Sequence, residues 1–366
     1  MNFNFNLPTK IIFGCGTIKK LNQLIEKDIK NILIVTDKNV FNESNVQNAV
    51  LKVLKDFRIE IFDDVKENPS LSIIKSGVKI AKKNNSQFVL GIGGGSPMDA
   101  AKGIAAFATN KGDIYDYVYG KELSKDPLPI VCIPTTSGTG SEVTPYAIFT
   151  DVEKDRKICL SSQKIFPEYA IIDPTLTYSM PRHITINTGA DTLTHAIEAY
   201  LSKHAFPLND LLALQSIKIV LENLNLASQK DKEAMNNMAY ASMLSGITIT
   251  HASTILLHIM AYPLTVFHNV PHGKANAILL PTFIEYMKRK SNIPKKVKTI
   301  ESMFEIFGGV KKYINGLDIS TELSSYGINM DEFEKFAQEV IVKDDIKITP
   351  AEVTIQDIIE IYKNAY

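Results

Sequence analysis

The sequence predicts an α/β half followed by an all-α half, and three observations carry that expectation. Short continuous apolar runs alternate with amphipathic stretches as far as residue 172. Beyond Asp173-Pro174 the apolar period becomes that of helices and no convincing strand follows. Pro174 and Pro181 bracket a non-helical link, which places the boundary near Met180 and gives domains 1–180 and 181–366. Two domains is also what 366 residues lead one to expect.

The strand runs are Ile32–Val35, Ile59–Phe62, Phe88–Leu90, Ile130–Ile133 and Ala170–Ile172, with amphipathic segments such as Leu71–Lys83 and Ala100–Ala106 between them. Runs without polar alternation suit strands covered on both faces, hence a mostly parallel sheet. In the second half, helical spacing covers Thr188–Leu201, Leu208–Leu224, Asp231–Thr250, Ser253–Tyr262, Asn276–Lys290, Met330–Val342 and Thr354–Ala365.

Charge and composition narrow the function. Forty basic groups balance forty acidic ones, so no nucleic-acid or acidic-membrane partner is expected, since each needs a basic surface. No eighteen-residue apolar run and no signal-peptide pattern is present. Cys15, Cys132 and Cys159 are too few and too scattered for a disulfide framework or a thiolate zinc site. A cytoplasmic, reducing location is the expectation.

The segment Gly91-Ile92-Gly93-Gly94-Gly95-Ser96-Pro97-Met98-Asp99 follows a strand run and opens a helix. Adjacent glycines let backbone N–H groups approach an anion that Cβ atoms would block. Ser96 reads as the N-cap, Pro97 as N1 and Asp99 as its capping partner. A tight strand-to-helix turn is the plainer alternative, and the segment is not the G-x-G-x-x-G fingerprint. Asp37 closes the run Ile32–Val35; there a carboxylate can accept from ribose hydroxyls and repel a 2′-phosphate, or cap the next turn. Pro134-Thr135-Thr136-Ser137-Gly138-Thr139-Gly140-Ser141-Glu142 suits a sugar and a pyrophosphate, or a polar surface loop.

In the second half Asp191 and His195, four apart, project from one helix face. With His258 and His272, the latter read as lying in a loop, they offer one carboxylate and three imidazoles, a donor set for a divalent transition metal. A helix-stabilising pair and a satisfied core histidine are the plainer readings, but most of the seven histidines fall between residues 195 and 272. Glu198 is placed as an acceptor behind the ligands. His251, seven before His258, is read as sharing its face, and His268 as able to carry a proton.

Together, Gly93–Lys102, Pro134–Glu142, Gly189–Tyr200 and Pro271–Ala277 resemble the iron-containing (group III) alcohol dehydrogenases, in order and over most of the chain. The resemblance implies a Rossmann-like dinucleotide-binding domain, a helical metal-binding domain of dehydroquinate synthase-like architecture, and a metal in the cleft between them. Carried over by position, the metal ligands are Asp191, His195, His258 and His272. The cofactor residues are Asp37, Asn68, Gly94, Gly95, Ser96, Asp99, Thr135, Thr136, Thr139, Lys157 and Leu176, with Leu176 against the adenine. It further implies NAD rather than NADP, Fe²⁺ with Zn²⁺ as the other candidate, a small-molecule alcohol or aldehyde substrate, and a homodimer or larger homo-oligomer.

Tyr262 stands where family members often carry a proton-relaying histidine, so Tyr262 and His268 are the candidate catalytic residues. His251, Ser253 and Ile255 replace the usual Asn and glycines, and Thr349-Pro350-Ala351 replaces an Asn-Pro-Arg pattern. The expected reaction is hydride transfer between NAD and a primary alcohol or short diol. A glycerol dehydrogenase-like enzyme, a hydroxyacid-oxoacid transhydrogenase and a non-catalytic scaffold are the alternatives.

Overall fold

The computed structural model describes residues 2–42, 44–154 and 156–366. The chain divides into two compact units, Asn6–Met180 and Pro181–Tyr366, the latter joined by Met1–Phe5. From sequence, residues 1–5 are expected in the α/β domain. In the structure Phe3 stacks on Phe206 at 4.6 Å and Phe5 on His251 at 4.2 Å, so aromatic contact ties them to the helical unit.

The first unit is built on a sheet of six parallel strands: β1 (Lys10–Phe13), β2 (Asn31–Thr36), β3 (Arg58–Phe62), β4 (Phe88–Gly93), β5 (Ile130–Pro134) and β8 (Tyr169–Ile172), in the order β1-β8-β5-β4-β2-β3. A hairpin of β6 (Tyr146–Asp151) and β7 (Arg156–Ser161) forms a separate antiparallel pair. The sheet has a core on each face, as the period of two requires. Leu33, Val35, Val89 and Cys132 point to one side. Ile32, Ile34, Leu90 and Ile133 point to the other. Helices α1 (Ser44–Val53), α2 (Leu71–Lys83) and α3 (Gly95–Thr109) cross between the strands.

After β3 the chain passes to the other side of β2, which puts a topological switch point between β2 and β4, where open parallel sheets bind ligands at their carboxyl ends. Thr36 pairs with Ile92 and Gly93 with Pro134, so Asp37, the glycine run and Thr135 leave the sheet side by side.

The second unit is helical. Its long members are α4 (Arg182–Leu201), α5 (Pro207–Ser228), α6 (Lys232–Ala252), α7 (Leu256–His268), α8 (His272–Lys290), α9 (Pro294–Phe304), α10 (Phe333–Ile341) and α11 (Ile355–Asn364). From Gly189 to Leu201 every residue of α4 is buried, as befits a central helix wrapped on all sides. Gly189 is needed there because a Cβ would lie 2.2 Å from Leu224 Cδ1.

Helices α6 and α7 turn by 111° at their junction, where Ser253 takes a φ of 60°. Sequence periodicity starts α7 at Ser253 and puts His251 on His258's face; the break separates them. His251 instead meets Ile247 O through Nδ1 at 2.8 Å. Likewise His272, read as a loop residue, is the first residue of α8. Among the described residues no single helix is long and apolar enough to cross a membrane.

Candidate metal centre and dinucleotide loop

Three side chains spaced along α4 carry the centre. Asp191, His195 and Glu198 follow one another at intervals of four and three, which brings them to one helical face. Glu198 is fully buried and its Oε1 accepts from the backbone N–H groups of Ile255 (2.8 Å) and His258 (3.2 Å). It thereby caps the start of α7, which no side chain of α7 itself caps. Its other oxygen meets His258 Nδ1, leaving Nε2 of that ring to face Asp191.

Helix α8 delivers the rest. Gly273 lies so close to α4 that a Cβ would come 1.9 Å from Asn187 O and 2.8 Å from Asp191 Cβ. That contact brings His272 and, one turn on, Asn276 to the carboxylate. Asp191 Oδ1 is 3.6 Å from His258 Nε2 and 3.9 Å from His272 Nε2, and its Oδ2 is 4.0 Å from His195 Nδ1. Asp191, His195 and His258 offer ligand atoms that all lie within 4.8 Å of one another.

Electrostatics follow from the crowding. Burial opposes ionisation of Asp191, but the imidazoles of His195, His258 and His272 outweigh it and hold the carboxyl well below its usual range. Burial likewise opposes charge on His258, and Glu198 and Asp191 overcome it, pushing the ring up to about 9.

In the other unit, α3 begins at Gly95 with Gly94 as its N-cap, and no side chain caps it among the described residues. Its first N–H groups are therefore left without a side-chain acceptor at the switch point. Thr135 Oγ1 is buried there without a hydrogen-bond partner among the described residues. An uncapped helix N-terminus beside an unpartnered buried hydroxyl can accept an anion or a sugar oxygen.

Residues 8–174 match the family described as iron-containing alcohol dehydrogenase, and residues 185–366 match the Fe-containing alcohol dehydrogenase family, C-terminal. The chain belongs to the iron-containing alcohol dehydrogenase family. It is 33% identical over 375 residues to alcohol dehydrogenase 4 of Saccharomyces cerevisiae, covering 99% of this chain and 98% of the relative. It is 31% identical over 383 residues to the 1,3-propanediol dehydrogenase of Klebsiella pneumoniae, covering 100% and 99%. The crystal structure of an iron-containing alcohol dehydrogenase from Thermotoga maritima superposes with a TM-score of 0.91 at 36% identity, covering 100% of this chain and 99% of that one. The protein is thus an oxidoreductase of alcohols that depends on a metal and NAD(H).

The donor set fits the metal that the family implies. A cation held about 2.0–2.2 Å from each of four ligands in a tetrahedral shell keeps them roughly 3.4 Å apart. Each imidazole lies 3.6 to 4.0 Å from an oxygen of Asp191, near that spacing, and the ligand atoms of Asp191, His195 and His258 gather within 4.8 Å of one another, while His272 stands outside that group.

Several positions assigned from sequence turn out differently. Ser96 does not cap α3; it lies inside the first turn, and its Oγ accepts from Asn68 N at 3.1 Å, so these two candidates hold each other. Asp99 is neither cap partner nor open acceptor: it takes Ser141 Oγ–H at 2.6 Å and Ile148 N–H at 3.0 Å beside the buried Lys102 ammonium at 3.8 Å. Lys102, missed in the sequence, donates to Ser141 Oγ, Thr144 Oγ1 and Tyr146 O and ties α3 to the Thr135–Glu142 loop.

Gly95 admits a neighbouring side chain: a Cβ there would meet Thr139 Cγ2 at 2.7 Å. At Gly94 it would meet Thr136 Oγ1 at 3.4 Å. Leu176 is 3% exposed within the sheet's core, so it offers an adenine almost no surface. Lys157 sits on β7 opposite Thr150. Asp37 does cap, its Oδ1 accepting from Asn39 N and Val40 N at 2.8 and 3.2 Å.

His268 fails as a relay. It lies ten residues beyond His258 on α7, about 15 Å along the axis, and its Nε2 meets Glu332 Oε1 at 2.8 Å. Tyr262, one turn after His258, stacks on His272 at 5.6 Å. Asn276 was also missed, although the i,i+4 spacing that links Asp191 to His195 links His272 to Asn276.

Proposed function

We infer that the chain transfers hydride reversibly between a primary alcohol or short diol and NAD, at a centre held by Asp191, His195, His258 and His272. The convergence of the ligand atoms of Asp191, His195 and His258 within 4.8 Å of one another, with His272 Nε2 3.9 Å from Asp191 Oδ1, carries the reading. A divalent cation held there supplies Lewis acidity, which lowers the pKa of an alcohol oxygen. Without a thiolate the set suits Fe²⁺, and Zn²⁺ can occupy it too.

The protein's part is positioning and proton control. Glu198 fixes the tautomer of His258 and its orientation. Tyr262, one turn after His258 and stacked on His272, is the candidate to pass the alcohol proton outward. In the first unit the uncapped N-terminus of α3 suits the pyrophosphate, with Asn68, Gly94, Gly95 and Ser96 around it. Thr135, Thr136, Thr139 and Lys157 continue along the dinucleotide. Asp37 supports NAD over NADP because its carboxylate ends β2 at the switch point and repels a 2′-phosphate.

The test is metal analysis of protein prepared without air, with and without His258→Ala, combined with the reduced-nicotinamide absorbance on butanol, 1,3-propanediol and lactaldehyde. His258→Ala is expected to lose metal and turnover while still binding NAD. Unchanged metal content in that variant would remove His258 from the ligand set.

A further inference from the structure

Asn276 lies on α8 one turn after His272, is fully buried, and points its amide at the donor atoms. Its Nδ2 is 3.1 Å from Asp191 Oδ1, 3.1 Å from His258 Nε2 and 3.4 Å from His272 Nε2. One N–H₂ group thus faces a carboxylate oxygen and two ring nitrogens contributed by three helices. Its Oδ1 is buried with no hydrogen-bond partner among the described residues. Buried polar atoms are ordinarily satisfied, so an asparagine retained for packing alone is a poor account of this orientation.

We propose that Asn276 is a positioning residue for the metal, donating to Asp191 Oδ1 and holding the carboxylate and the two imidazoles in register before the cation arrives. The reading rests on the ligand assignment above. A carboxylate with a fixed donor on one oxygen cannot swing freely about its own axis, so its remaining lone pairs stay aimed at the centre. A cation held by the two ring nitrogens would leave the donation from Asn276 to Asp191 Oδ1 in place. Helix α8 is well suited to enforce this, because Gly273 already presses it onto the Asp191 turn of α4.

Loss of a hydrogen-bond partner behind a metal ligand typically weakens metal binding about 10–100-fold. The experiment is Zn²⁺ affinity of the full-length protein by chelator competition, repeated with Fe²⁺ without air, for wild type, Asn276→Ala, Asn276→Leu and Asn276→Ser. NAD binding is measured on each to certify the fold. Alanine and leucine, which cannot donate, are expected to bind metal about 10–100-fold more weakly with NAD affinity unchanged. Serine, whose hydroxyl can donate to Asp191, is expected to recover part of the loss.

Leucine preserves most of the volume should alanine not fold. Should serine alone fold, about tenfold weaker binding than wild type is expected, and equal affinity overturns the proposal. Alanine or leucine variants within twofold of wild type overturn it as well, as does serine binding no better than alanine. Wild type that takes up neither ion, or His258→Ala that keeps its metal, instead brings down the ligand assignment itself.

Discussion

At Asp37 the capping bonds from Asn39 and Val40 both fall on Oδ1, so the cap and the charge can be separated. Asparagine caps as well as aspartate, and Asp37→Asn should leave unfolding within about 0.5 kcal/mol of wild type. It removes the charge facing a 2′-phosphate, an interaction of about 1–4 kcal/mol at close range near a protein surface. The NADP/NAD ratio of kcat/KM should therefore rise about tenfold or more. An unchanged ratio makes Asp37 a turn residue only. Glu142 poses a different residue-scale question. Burial pushes its carboxyl from 4.5 up to about 7. The folded protein then holds a proton that the unfolded chain has released, so stability falls as pH rises between about 4.5 and 7. The shift corresponds to about 3 kcal/mol. Glu142→Gln should flatten that part of the profile and raise stability at pH 8, as read by urea unfolding at pH 5 and 8. A wild-type profile with no decline across the window is the contrary result.

Among the elements, the contact of α4 with α8 matters most, and Gly273 decides it. Any Cβ there strikes the Asn187 carbonyl, so Gly273→Ala must push the helices apart. Overpacking of this kind costs about 1–3 kcal/mol, and it also moves His272 and Asn276 off Asp191. The expected outcome is a lower melting temperature together with lost metal at unchanged NAD binding. Retained metal would mean that α8 is free to shift without disturbing the centre. This junction also marks how far the sequence could be read. The runs at β2, β4 and β5 were legible because strands buried on both faces are continuously apolar, and Asp191–His195 was legible because helix spacing is fixed. The hairpin of β6 and β7 was not, since its half-buried alternation is interrupted by polar residues. Nor was β1, a four-residue edge strand. Periodicity puts His251 and His258 on one face because it is blind to the break at Ser253. Lys102 and Asn276 escaped because their roles are set by partners distant in sequence, Ser141 to Tyr146 for one and Asp191 for the other.

At the scale of the whole molecule, each compact unit carries the groups for a different ligand: the glycine run and Thr135 in Asn6–Met180, the carboxylate and imidazoles in Pro181–Tyr366. A ligand that binds only the native state stabilises it by about 2.7 kcal/mol at one hundred times its Kd. Local opening is suppressed first where the bound groups sit. Hydrogen exchange on the full chain should therefore separate the two. Zn²⁺ or Fe²⁺ should slow exchange in α4, the start of α7 and the start of α8, whose N–H groups near Ile255 and His258 already depend on Glu198. NAD should slow exchange at the ends of β2, β4 and β5 and in the first turn of α3. Metal protection confined to the first unit would contradict the ligand assignment. NAD protection absent from the start of α3 would contradict the reading of that uncapped N-terminus as the pyrophosphate seat, because its uncapped N–H groups are the ones an anion must reach.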